Sequence, residues 1–267
     1  MENKRSILVP HDFTQVGDFA LEHAYMIRKV TNVPINLLHV IKKDSMYNEA
    51  FEKLESIAKN FSEKHNITVN PIVMKGNLYK TIYKCGVNTD AYISVMGTHG
   101  IKTIKKAMKV VKKFMKIPFI LVQSPVIYGE YNKVVIPLDS NAKSRVKFQW
   151  VKYLNNLFKC KAYIISHEET DSHKKQMLRN NIRFANKFLE ESNIDFEIKK
   201  LDSSKNFADE IYSYANVIES NIIMVMSSRY SEYAKNIKKA QNFESYKKIP
   251  IMCVNPRTDV YKTGGFN

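Results

Sequence analysis

The chain has 267 residues, 44% hydrophobic and 25% charged, a balance that excludes wholesale disorder and allows one large domain or two of about 130 residues. Its formal net charge is +16, but lysine supplies 35 of the 42 basic residues and arginine 7, beside 24 asparagines. Arginine is the better bidentate reader of phosphate and guanine, and the charge divides into +9 up to residue 128 (19 basic, 10 acidic) and +7 after it (23 basic, 16 acidic); both facts argue for a solvated basic surface and against nucleic acid.

In chain order, residues 6–10 read as a short apolar strand. Residues 14–31 read as a helix with Phe19, Ala20, His23, Ala24, Ile27 and Val30 on one face. Strand 34–41 (PINLLHVI) and a long helix at 45–65 follow, then strand 67–75, a helix at 77–88 and strand 91–96. The loop GTHG at 97–100 leads into a helix at 102–116 and a closing strand at 117–123. The same alternation then starts again. Strands are expected near 132–138, 161–167, 194–201, 220–226 and 249–254, with helices near 141–158, 171–193, 204–219 and 230–247.

The restart is a repeat of sequence as well as of pattern. SILVPHD at 6–12 returns as KVVIPLD at 133–139, AYISVMGTHG at 91–100 as NIIMVMSSRY at 221–230, and IPFILVQSP at 117–125 as IPIMCVNP at 249–256. Pro10 maps to Pro137, Met96 to Met226 and Pro118 to Pro250, in one order and at nearly one spacing. The chain therefore reads as a tandem duplication, with domains at 1–126 and 130–257 and a tail at 258–267. Continuous apolar strands alternating with amphipathic helices predict an α/β fold: two doubly wound open sheets of five mainly parallel strands, related by a pseudo-two-fold. The apolar closing strands are candidate edges for pairing within one chain, an intramolecular pseudo-dimer that leaves monomer or homodimer open.

Cys85, Cys160 and Cys253 lie far apart without a CxxC pair, as expected of reduced, buried thiols. No apolar run approaches the roughly 20 residues that span a bilayer, and the amino-terminal stretch carries too few apolar residues for a signal peptide, so the expected location is the cytoplasm, away from membranes.

Ligands of open α/β sheets bind beyond the carboxyl ends of the strands, where the strand order reverses. Three pieces of the first unit converge there: Pro10-His11-Asp12, His39-Val40, and Gly97-Thr98-His99-Gly100. Glycines admit a ligand close to the backbone, and helix-start N–H groups suit an anion. Asp12 is placed either to accept ribose hydroxyls or to cap the following helix. His11, His39 and His99 approach the same edge, but adjacent strand residues point to opposite faces and Asp12 is the sole carboxylate in these loops, so no metal site is expected.

The strand-ending VPHDFT at 9–14, LLHV at 37–40, VMGTHG at 95–100 and IPFILV at 117–122 resemble the universal stress proteins, over both units. The resemblance implies adenine-nucleotide binding: Asp12 on the ribose or adenine side, Val40 on adenine through its backbone, and Gly97 and Gly100 at the phosphates; Pro10 and His99 beside them complete the candidate nucleotide-binding set. The family's phosphate motif, G-x2-G-x9-G-[ST], breaks here, because Val110-Val111 stand where Gly-Ser or Gly-Thr is required. The second unit departs further, with no glycine from 130 to 263 and SSRY at 227–230, so no phosphate cradle is expected there. Helix 102–116 carries seven lysines and no acid; it reads as a solvated face of a sheet-packing helix, with an anion clamp by Lys102, Lys105 and Lys106 as the sharper alternative. The expected function is a non-catalytic stress-response module whose first domain holds a degenerate, weak ATP or AMP site, with a protein partner still to be identified. The alternatives are an active ATP/AMP sensor or ATPase, for which no Walker A, SGGxDS-like or HxGH motif speaks, and a nucleic-acid binder working through the basic surface.

Overall fold

The computed structural model describes residues 5–98, 117–127, 129–201, 206–233 and 248–255. The chain separates into two compact units, residues 1–126 and 127–267.

Unit 1 runs β1 (Ser6–Pro10), α1 (Gln15–Thr31), β2 (Ile35–Ile41), a 3₁₀ turn (Asp44–Met46), α2 (Tyr47–His65), β3 (Val69–Lys75), α3 (Leu78–Asn88), β4 (Ala91–Gly97) and β5 (Phe119–Val122). Its strands are parallel, in the order β3-β2-β1-β4-β5. The apolar runs are central because they are covered on both faces: Ile7, Leu8, Val9, Leu37, Leu38, Ile93, Val95 and Ile120 are all fully buried. Helix α1 lays Ala20, Leu21, Ala24 and Ile27 against the sheet. It stops at Asn32, whose left-handed φ of 56° lets its N–H bond back to Arg28 O.

Unit 2 repeats the plan with β6 (Lys133–Pro137), a 3₁₀ turn (Ala142–Arg145) running into α4 (Val146–Phe158), β7 (Lys161–His167), α5 (Ser172–Glu191), β8 (Phe196–Leu201), α6 (Phe207–Val217), β9 (Ile222–Met226) and β10 (Ile251–Val254). Its strands are also parallel, in the order β10-β9-β6-β7-β8. Each unit is thus a doubly wound open sheet. The helix expected at 141–158 opens as 3₁₀, and the one expected at 204–219 begins at Phe207. Helix 102–116, the helix expected at 230–247 beyond residue 233, and the tail 258–267 lie outside the described residues.

The repeat is accurate at the level of single positions. Ile7 pairs with Ile35 and Val134 with Ala162, both pairs 127 residues apart, and the left-handed caps Asn32 and Lys159 keep the same offset. Asn77 caps α3 by accepting from the N–H groups of Tyr79 and Lys80, and Asn206 caps α6 by accepting from those of Ala208 and Asp209. An asparagine N-cap contributes about 1 kcal/mol. Asn206→Ala is therefore expected to lower stability by about 1 kcal/mol in urea denaturation, leaving the slope of the transition unchanged.

Among the described residues, no helix is long and apolar enough to cross a membrane. The three cysteines are free and buried. Burial pushes the Cys85 thiol up to about 11 and Cys160 to about 12, and raises Cys253 well above its ordinary value, which leaves them unreactive at neutral pH.

Candidate functional site

In unit 1 the strand order reverses between β1 and β4, and the geometry of the opening follows from where their pairing stops. β1 pairs with β2 up to Pro10 opposite Leu38, and His11 N–H continues the ladder to Leu38 O at 2.8 Å. Its last partner on β4 is Ser94, opposite Leu8. Backbone groups alternate sides along a strand, so the donor that Pro10 lacks falls on the β4 side, where the two strands part.

The loop after Pro10 is held by a closed set of contacts. The buried His11 ring approaches Asp18 Oδ1 through Nε2 at 3.1 Å, while Nδ1 accepts from Phe13 N–H at 3.1 Å. Nδ1 is an acceptor, so the proton sits on Nε2 and donates to Asp18. Burial, only partly opposed by Asp18 and Asp12, lowers the His11 pKa from its ordinary value. Phe13 takes a left-handed φ of 61°. Its ring stacks on His39 with centroids 4.1 Å apart, and His39 Nδ1 donates to His11 O at 2.8 Å.

Asp12 stands exposed on this loop and its Oδ1 accepts from Thr14 Oγ1 at 2.5 Å. It is not the helix cap: Thr14 holds that position and makes no side-chain cap bond. Val40 faces Met74 across the β2–β3 ladder, beyond the last β1–β2 pair, and is the penultimate residue of a strand that ends at Ile41.

Gly97 ends β4, and its close approach is to protein. A Cβ there would lie 2.5 Å from Val16 O, in the first turn of α1. Thr98 is buried beside it, its N–H bonded to Val122 O at 2.9 Å and its hydroxyl accepting from Gln123 Nε2 at 3.3 Å. His99 and Gly100, like Val110-Val111 and the lysine-rich helix, lie outside the described residues. The structure therefore brings Pro10, Asp12, Val40 and Gly97 to one end of the sheet. It adds Phe13, Gly17 and Asp18, which the sequence reading had not singled out. The available signal was Gly17 within the buried face that runs through Ala20, Ala24 and Ile27. A Cβ at Gly17 would sit 2.8 Å from the His11 ring.

The equivalent place in unit 2 is filled from within. Asp139, the counterpart of Asp12, accepts from Ser144 Oγ at 2.5 Å and from Arg229 Nη1 at 3.2 Å. Arg229 Nε meets Glu232 at 2.8 Å. Asn181, fully buried, donates to the carbonyls of Asp139 and Asn141 and accepts from Arg145 Nε. Lys147 occupies the position of Ala20, is 2% exposed, and donates to Pro137 O. Burial lowers its pKa from 10.5 to about 8, with Asp139 opposing and Arg229 assisting. Pro137, Asp139, Lys147, Met226, Arg229 and Tyr233 line what remains, about 10 Å³, or room for about one water. Ser227 stands where Gly97 does and bonds Asn255 Oδ1; in this unit the first turn of the facing helix is 3₁₀.

Among the described residues, no group of three or more His, Cys, Asp or Glu side chains is placed to hold a metal ion.

Two parallel, doubly wound units in tandem, each reversing its strand order beside a proline-ended first strand, define a class of α/β folds. Structural comparison narrows the class. A universal stress protein from Archaeoglobus fulgidus DSM 4304 superposes with a TM-score of 0.71 at 16% identity, over 96% of this chain and 98% of that one. A candidate universal stress protein from Pseudomonas aeruginosa UCBPP-PA14 gives 0.64 at 15% identity, over 94% and 93%. A functionally unknown protein from Pseudomonas aeruginosa PAO1 gives 0.63 at 15% identity, over 94% and 92%. No protein-family model matches the sequence, and no curated protein matches it. The chain has the fold of the universal stress proteins in its tandem, two-unit form.

Proposed function

We propose that the chain is a tandem universal stress protein acting as a non-catalytic, ligand-responsive module, with one adenine-nucleotide site of low affinity in unit 1. One observation carries this reading: the first-strand aspartate of unit 2 is already engaged by a guanidinium within its own crevice. Asp12 is exposed at the mouth of unit 1, whereas Asp139 is neutralised by Arg229 in a crevice that Lys147 plugs from the helix side. An acceptor already paired with a guanidinium is not available to a ribose hydroxyl. Unit 2 accordingly serves as a scaffold.

The affinity of unit 1 is set by what its phosphate loop lacks. Replacing the second Gly-Ser turn by Val110-Val111 removes about two charge-assisted hydrogen bonds, each contributing about 1.5–3 kcal/mol. The loss is two to four orders of magnitude in affinity. Calorimetry at moderate salt is expected to find one ATP or AMP per chain with a dissociation constant well above micromolar, weakened further by Asp12→Ala and unaffected by Asp139→Ala in a folded protein. Phosphate release is expected to stay at the buffer rate. Two ligands per chain, a micromolar or tighter constant, or measurable hydrolysis would overturn this reading.

A further inference from the structure

We propose that His11 is the positioning residue of the unit 1 crevice: its neutral ring locks loop 11–14, which carries Asp12, and its protonation unlocks that loop. The functional meaning rests on the nucleotide reading of the crevice; the lock itself stands on geometry.

Phe13 is the pivot. A bulky residue at a φ of 61° is disfavoured sterically, so other contacts must hold it. Among the described residues, its N–H donates to His11 Nδ1, its ring stacks on His39 and its edge meets the His11 ring. His39 in turn donates to His11 O, closing the circuit. Gly17 closes one side of the His11 ring, packing so tightly that even a methyl group would not fit, and Asp18 holds its Nε2 edge.

The circuit needs an acceptor at Nδ1. In the imidazolium form both ring nitrogens are donors, so an N–H would face the N–H of Phe13. The left-handed turn would lose its hydrogen-bonded support, and Asp12, its immediate neighbour, would lose its fixed place. The charged and titratable groups facing the ring among the described residues are Asp18 from α1, Asp12 from its own loop and His39 from β2. The two carboxylates favour the proton and His39 opposes it. Burial opposes it most, so the ring titrates below the ordinary histidine value of 6.5. The lock is closed at neutral pH and opens in the acid range. Asp18 keeps its hydrogen bond from Nε2 in both states, so the ring stays in place while its other edge changes sign.

His11→Asn tests the idea, since an asparagine oxygen accepts a hydrogen bond and does not titrate. AMP binding is measured from pH 7.5 to 5, each protein normalised to its own value at pH 7.5, so that the phosphate's own titration cancels in the ratio. The wild-type dissociation constant is expected to rise relative to that of His11→Asn as the pH falls, by at most tenfold per pH unit. His11→Ala should bind more weakly than His11→Asn at every pH. Far-UV circular dichroism confirms folding at each point. In parallel, without ligand, the Phe13 amide resonance should titrate together with the His11 ring nitrogens, and lose that titration in His11→Asn. Failure of AMP to bind at any pH would remove the nucleotide reading and leave the lock to the amide titration. A constant affinity ratio, or a Phe13 amide indifferent to His11 protonation, would overturn the inference.

Discussion

Gly97→Val is expected to destabilise unit 1 by about 4 kcal/mol, and Gly97→Ala by about 2 kcal/mol, with no ligand present. The glycine is required by the fold. Its Cα lies under the first turn of α1, where an added Cβ would be 2.5 Å from Val16 O and 2.8 Å from Val16 C. Those are backbone atoms, and relief means moving the helix that packs Ala20, Leu21 and Ala24 on the sheet. A β-branched side chain adds two methyl groups to the same collision. A loss of this size is a large part of the stability of an ordinary domain. Urea denaturation followed by far-UV circular dichroism measures it; an unchanged midpoint for Gly97→Val would refute the packing argument. Loss of nucleotide binding in Gly97→Val is therefore no evidence of a phosphate contact, and Asp12→Asn is the cleaner probe of the site. Ser227→Val would be no clean control either, because Ser227 is buried and bonded to Asn255.

Lys147→Met is expected to stabilise unit 2 relative to wild type, and the advantage should shrink by about 2 kcal/mol between pH 7 and 9.5. Lys147 is 2% exposed, and burial lowers the pKa of its amine to about 8. Below about pH 8 the folded amine is charged and carries the whole cost of its burial. Between there and 10.5 the unfolded amine is still protonated while the folded one is not, so wild-type stability rises with pH across that window. Methionine has similar length and no charge, so its stability lacks this component, and titrations elsewhere cancel in the comparison. Lys147 donates to Pro137 O, and losing that bond subtracts about 1 kcal/mol at every pH without altering the trend. Trp150, the chain's single tryptophan, sits buried on the same helix. Its emission reports the transition directly. A difference between the two proteins that stays constant with pH would show that the amine is not desolvated as the structure places it.

How much of this was legible in advance differs from residue to residue. Lys147 carried a signal: it stands at i, i+4, i+7 and i+11 spacing with Val151, Leu154 and Phe158, all buried, so a lysine interrupts the apolar stripe of its helix. The partner of Asp139 carried none, since Arg229 lies 90 residues further along. Asp12 was open to two readings because a loop aspartate before a helix suits either, and only the placement of Thr14 at the helix start removed the capping role. Gly97 read as room for a ligand, and the neighbour that needs the room belongs to another element.

The sequence by itself determined the tandem duplication, the order of strands and helices, and the proline ends of β1 and β6. These rest on local periodicity, on the conformational limits of single residues and on a repeat spacing visible without coordinates. What the aspartate after each first strand meets was decided only by the tertiary structure. That depends on side chains from separate elements meeting at one end of a sheet: Arg229 reaching Asp139 from the 3₁₀ turn (Ser227–Arg229) after β9, Lys147 reaching Pro137 O from α4, and Asp18 meeting His11 from α1. The geometry of such meetings is set by sheet register and helix packing, and a change of one residue in either would dissolve them while leaving every local pattern intact.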